Sequence, residues 1–195
     1  SCTFYNLAMG SYSVLVNATK QYYPQGDTYV KQNAFIVATY PVISNIRAYS
    51  SRWSDNYGGW GDLWKFEISL YDEDQSKFSF EKLNISLYIN FTGTYELVNS
   101  TVCYSPNCQN LTTITLTSTF DCSKIGNKNY KFVVTDYFNN SVEDYGSISI
   151  LPDSVFLFIV QKPSYINREG YETGKFVAQI YDLDRGVYPC LLYTS

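Results

Sequence analysis

The chain has 195 residues, 45% of them hydrophobic, and draws its apolar character from 20 Tyr and 12 Phe with a single Met. Fourteen Lys and Arg stand against 18 Asp and Glu, a net charge of -4 with no long basic run, which argues against a nucleic-acid partner. The longest apolar run, residues 155–160, is far short of the ~20 residues a membrane helix needs, so no membrane insertion is expected within this segment.

In chain order, the first strand-like passage is Gly10-Ser-Tyr-Ser-Val-Leu-Val16. Tyr40-Pro41 then opens a stretch in which apolar and polar residues alternate with a period of two. Strands are expected near 42–49, 64–71, 82–91, 95–104, 111–120, 129–137 and 143–151. The inward rows are Phe66, Ile68 and Leu70; Leu83, Ile85, Leu87 and Ile89; Ile114, Leu116 and Phe120; and Tyr130, Phe132 and Val134. Asn84, Asn90 and the threonines at 113, 115, 117 and 119 take the outward phase. Turn-forming stretches separate the strands: Ser54–Gly59, Asp72–Ser76, Ser105-Pro-Asn107, Gly126-Asn127 and Asn139-Asn140. No run at helical spacing carries caps. Seven short alternating strands in about 110 residues fit an antiparallel β-sandwich.

Two passages occur twice in the same order. Gly10–Val16 is answered by Asn129-Tyr-Lys-Phe-Val-Val134, and Lys65-Phe-Glu-Ile-Ser-Leu-Tyr-Asp-Glu-Asp74 by Lys175-Phe-Val-Ala-Gln-Ile-Tyr-Asp-Leu-Asp184. Tyr12 aligns with Tyr130 and Lys65 with Lys175, offsets of 118 and 110 residues. That period is too long for a solenoid turn and matches one small domain. The chain therefore reads as the C-terminal part of one unit (1–40), a complete unit (41–151) and the N-terminal part of a third (152–189). Cys190-Leu-Leu-Tyr-Thr-Ser195 resembles a translated sequencing-adapter end, so 190–195 is set apart. The linkers at Tyr40-Pro41 and Leu151-Pro152-Asp153 are short, which predicts units held end to end.

The Lys65–Asp74 strand and the later Tyr130-Lys-Phe-Val-Val-Thr-Asp136 strand together resemble immunoglobulin-like and PKD-like repeats of surface proteins. The resemblance implies an all-β, antiparallel immunoglobulin-like sandwich and a cell-surface setting. The Cys…Trp…Cys spacing of antibody domains is not present.

Cys103-Tyr-Ser-Pro-Asn-Cys108 brackets a Pro-Asn turn that a local disulfide can close. Cys2 and Cys122 precede the matching Tyr12 and Tyr130 and look like one repeat position seen twice; a 111–120 strand carries Cys122 to the pole opposite Cys103. Six Asn-x-Ser/Thr sequons occur, at Asn17, Asn84, Asn90, Asn99, Asn110 and Asn139. Cysteines and sequons together favour an extracellular or cell-surface location.

Catalysis is poorly provided for. There is no His to act as a base near neutral pH, and neither a nucleophile elbow nor a phosphate-cradling glycine loop is present, so no enzyme is expected. Asp72, Asp74 and Asp136 fall at one pole of an immunoglobulin-like path, where they are either hard-oxygen ligands for Ca²⁺ or a solvated acidic turn. Asp182 and Asp184 repeat the first two. All three tryptophans lie in 53–64, where Trp53, Tyr57 and Trp60 either stack on a glycan or fold back over an open sandwich end; Trp64 opens a strand and belongs to the core. The expected function is a non-enzymatic structural or adhesive segment of a glycosylated tandem-repeat surface protein. Its partners would be neighbouring repeats and another surface protein or glycan, and the alternative is a carbohydrate-binding module.

Overall fold

The computed structural model describes residues 3–19, 21–22, 26–52, 55–152, 154–164, 176–183 and 191–194. The central unit contains β3 (Val42–Ser50), β4 (Tyr57–Gly59), β5 (Trp64–Tyr71), β6 (Lys82–Asn90), β7 (Tyr95–Tyr104), β8 (Thr112–Ser118), β9 (Gly126–Thr135) and β10 (Ser141–Leu151). Ahead of it lie β1 (Gly10–Ala18) and β2 (Asp27–Val37); after it come β11 (Val155–Gln161), β12 (Phe176–Asp182) and β13 (Leu191–Thr194). One central sheet runs β3-β5-β8 and the other β4-β10-β9-β6-β7. Every central pairing is antiparallel except β4 alongside β10. The chain crosses between sheets from β5 to β6 and again from β7 through β8 to β9, the path of an immunoglobulin-like sandwich.

The alternation in sequence is the cause of this layering. Leu83, Ile85, Leu87 and Ile89 face inward from β6 and are fully buried, as are Phe66, Ile68 and Leu70 from β5. Tyr130, Phe132 and Val134 from β9 and Ile148 and Ile150 from β10 close the core from the larger sheet. The phenol of Tyr130 sits in this interior, and burial pushes its pKa up to about 12. On β5 the outward phase is also covered, because Glu67 accepts bonds from Arg47 Nε and Tyr49 Oη, both at 2.7 Å, and from Thr115 Oγ1 at 3.2 Å.

All seven expected strands are present with ends shifted by a few residues. The sequence reading missed β4 and two 3-10 turns, Glu73–Ser76 and Cys122–Lys124, capped by the side chains of Asp72 and Asp121. β4 forms because Gly58 lets the chain close down on the core: a Cβ there would lie 2.5 Å from Ser50 Cβ and 2.6 Å from Trp64 Cζ2. Gly146 plays the same part in β10, where a Cβ would meet Tyr130 Cζ at 2.4 Å. Gly146→Ala should therefore destabilise the unit by roughly 1–3 kcal/mol in urea titration, although exposed strand positions ordinarily prefer alanine to glycine. An unchanged midpoint would show that Tyr130 can move aside.

The flanking hairpins pair in registers comparable to those of the central strands. β1 and β2 pair Gly10 with Val37 as β9 and β10 pair Lys128 with Ile148. β11 and β12 pair Phe156 with Tyr181 as β3 and β5 pair Val42 with Tyr71, and both hairpins carry a register shift part-way. The first residue of the second copy, Lys175, lies outside the described residues, as does Asp184. β13 (Leu191–Thr194) pairs antiparallel with β12.

Candidate functional site

The end of β5 delivers a Tyr-Asp step out of the sheet, and the chain turns at once. Asp72 is extended (φ -140°, ψ 116°), and its Oδ1 accepts from Asp74 N at 3.1 Å, capping the 3-10 turn. Its own backbone N–H donates to Cys108 O at 3.1 Å. Asp74 accepts from the Thr39 N–H at 2.9 and 3.2 Å and from Thr39 Oγ1 at 3.1 Å. Asp136, just past β9, accepts from Asn140 N and Asn140 Nδ2, both at 2.7 Å. Asn140 Nδ2 also donates to Thr39 O at 3.1 Å. Glu81, just ahead of β6, accepts from Tyr137 N at 2.9 Å through Oε1.

These four carboxylates are buried, at 0% exposure for Asp72 and Asp74, 1% for Glu81 and 2% for Asp136. Two structures at the same pole account for it. The first is the Cys103–Cys108 disulfide, Cα atoms 6.3 Å apart, which forms as the turn chemistry predicts. It is clamped by buried Gln75, whose Nε2 donates to Cys103 O at 3.2 Å and whose Oε1 accepts from Cys108 N at 2.8 Å. The second is a ring cluster of Phe78, Phe80, Tyr137 and Phe138 with centroids 5.0–6.1 Å apart. Burial is the main reason that the acidities of Asp72, Asp74 and Glu81 are all weakened, Asp72 to a pKa of about 7. Mutual repulsion among the carboxylates adds to it, and the donated backbone hydrogen bonds oppose it.

The burial of Asp72, Asp74 and Asp136 corrects the solvated-turn alternative. They share a pole but are not a solvated turn. Among the described residues no three acidic, Cys or His side chains are grouped so as to hold a metal ion. The reason is local: Asp74 turns both oxygens to Thr39, and Asp136 turns both to Asn140. Asp182, the copy of Asp72, is likewise buried. Thr39, Gln75, Glu81 and Asn140 were missed by sequence reasoning. Only Asn140 carried a signal, the Asn-Asn turn after Asp136.

The aromatic loop is described only in part. Trp53 lies outside the described residues. Trp60 is half-buried against the core, and its backbone N–H donates to Leu151 O at 3.3 Å. Trp64 is fully buried. Tyr57 is 52% exposed and lines a polar groove of about 440 Å³ with Asn127, Asn129, Ser147 and Ser149.

The sequons divide by environment. Asn17, Asn110 and Asn139 are exposed; Asn84, Asn90 and Asn99 are half-buried. Asn99 Nδ2, the atom a glycan would use, donates to Thr117 O at 2.8 Å. Asn139 has a φ of 67°, which gives asparagine a conformational role in that turn. Cys122 is free and exposed, away from the disulfide, while Cys2 and Cys190 lie outside the described residues.

A scan against protein-family models finds no match, and neither does a search of curated proteins. Among solved structures the chain is similar to Spo0M, a sporulation control protein from Bacillus subtilis, at 6% identity and a TM-score of 0.36. The similarity covers 74% of this chain and 68% of that one.

Proposed function

We propose that this chain is a non-enzymatic segment of an extracellular, glycosylated protein built from tandem immunoglobulin-like sandwiches, working mechanically to hold successive units in line. The observation that carries this reading is the junction. Thr39 of the preceding segment is gripped through its N–H and hydroxyl by Asp74, and through its carbonyl by Asn140, both from the central unit. Three hydrogen-bonding groups of one residue are thereby fixed to the sandwich, which favours a stiff connection over a tether. The hairpins on both flanks and the Cys103–Cys108 bond support the same reading.

Secretion of the full chain from a eukaryotic cell, followed by peptide mapping without reduction, tests it. Glycans are expected on exposed Asn17, Asn110 and Asn139, a bare side chain at Asn99, and Cys103 linked to Cys108. A chain that emerges unglycosylated with both thiols open to alkylation would sink the extracellular reading. A second reading, saccharide binding, is favoured by Tyr57 on its amide- and hydroxyl-lined groove. It predicts retention on an immobilised polysaccharide that Tyr57→Ala abolishes.

A further inference from the structure

Four carboxylates from four segments meet at the pole: Asp72 after β5, Asp74 in the 3-10 turn, Glu81 before β6 and Asp136 after β9. Backbone and side-chain donors serve Asp72 Oδ1, Glu81 Oε1 and the oxygens of Asp74 and Asp136. Asp72 Oδ2 and Glu81 Oε2 remain, both buried and with no hydrogen-bond partner. A buried carboxylate oxygen without a donor is strongly disfavoured while ionised.

Among the described residues, the charges that weigh most on these carboxylates are all negative. The strongest charges acting on Asp72 are Asp74, Glu81 and Asp136; on Glu81 they are Asp136 and Asp74, and on Asp74 they are Asp136 and Glu73. Residues 37–41 and the disulfide turn 103–108, both packed on the pole, contain no charged side chain. Among the described residues the three side-chain ion pairs, Arg47–Glu67, Arg52–Asp62 and Lys131–Glu143, involve none of the four. Lys82 contributes to Glu81 through its backbone N–H.

We propose that the pole is a proton-binding site: Asp72 takes up a proton on its unpartnered Oδ2 as the medium becomes mildly acidic, and that proton tightens the junction with the preceding segment. Protonation at Oδ2 leaves Oδ1 in place to accept from Asp74 N. It also removes one of four like charges, so the Asp74 carboxylate keeps its grip on Thr39 with less repulsion behind it.

The sign of the pH dependence follows from the direction of the shift, which places Asp72 at about 7 in the folded chain against an ordinary 3.8. Below the ordinary value both folded and unfolded chains hold the proton, and pH makes no difference. Between the two values the unfolded chain gives up its proton while the folded chain keeps it. Stability therefore falls as pH rises through this window and levels off above it. Asp74 and Glu81, raised in the same direction, act with the same sign.

The full chain should be titrated with urea at pH ~5 and pH ~8, beside Asp72→Asn, which keeps an acceptor at Oδ1 but cannot ionise. The folded-to-unfolded ratio of the wild type should be on the order of tenfold to a hundredfold larger at the lower pH, with less than half of that response, on a logarithmic scale, in the variant. Protection of the Thr39 amide from exchange should rise on acidification in the wild type and stay level in Asp72→Asn. Parallel stability curves for the two proteins would overturn the proposal. If the variant fails to fold, a carboxyl-carbon NMR titration of the wild type decides alone: a midpoint for Asp72 near neutrality upholds the proposal, and one in the ordinary carboxylate range refutes it. Calcium added at pH ~8 supplies the remaining arm. A gain in stability that Asp72→Asn loses would mean that the free oxygens serve a cation, and the proton reading would fall.

Discussion

Trp64→Ala should remove about 3–5 kcal/mol of stability, lowering the melting temperature by on the order of 10–20 °C. Trp64 has no exposed surface, and its ring lies 6.3 Å from that of Phe66 and 6.1 Å from that of Phe120. Its Nε1 donates to Gly59 O at 3.3 Å, so the same side chain fills the core and anchors β4. Two losses therefore combine on truncation, a cavity and an unpaired carbonyl. Trp64→Phe separates them: it keeps most of the packing and forfeits the hydrogen bond, for a loss of about 1–2 kcal/mol. Tyr57→Ala, on the exposed side of β4, should stay within roughly 0.5 kcal/mol of the wild type. Calorimetry on the full chain checks all three, and equal melting temperatures for Trp64→Ala and Tyr57→Ala would remove Trp64 from the core.

How much of this was legible before the structure depends on the kind of signal. Alternation placed β6 and β9 with their inward rows intact, because every second residue of Leu83–Ile89 and Tyr130–Val134 is apolar and the period of two admits one phase. The Cys103–Cys108 bond was legible for a similar reason, since four intervening residues with Pro and Asn leave the chain little choice but to turn. What failed were contacts between segments distant in the chain. Glu81 and Asp136 are separated by 55 positions and Thr39 and Asn140 by 101, so no local pattern announces that they meet. The sign of a carboxylate's environment is equally hidden. An acidic triplet after a strand reads as a wet turn, and only the fold places the disulfide and the phenylalanines that dry it. The tryptophan loop was legible in part, since Trp64 at the head of a strand reads as core and is fully buried. Composition left Trp60 open between stacking on a glycan and folding back over the sandwich end, and only the fold packs it against the core.

Arg52→Ala should destabilise the chain more than Asp62→Ala, by about 3–5 against about 2–3 kcal/mol. The pair holds that same loop shut. Asp62 accepts from Arg52 Nε at 2.7 Å, makes a second contact with Nη2, and takes the Gly59 N–H at 2.8 Å. Around it, Ser51 N donates to Leu63 O at 2.9 Å and Gly61 N to Phe120 O at 2.7 Å, so the carboxylate sits at the centre of a closed network. The asymmetry follows from exposure. The Asp62 side chain has none, whereas that of Arg52 is 29% exposed. Removing the arginine strands a buried anion with a single backbone donor. Removing the aspartate leaves a guanidinium that can lean further into water, so less of its lost interaction remains uncompensated. Because the Asp62 end of the pair is buried, both losses should persist in high salt, where fully exposed ion pairs are screened away. The double variant should lose less than the two single losses combined, since each single change already breaks the same contact. Urea titrations of the three variants at low and high salt measure this. Strict additivity, or losses that vanish with salt, would mean that the Trp loop is closed by its backbone bonds alone.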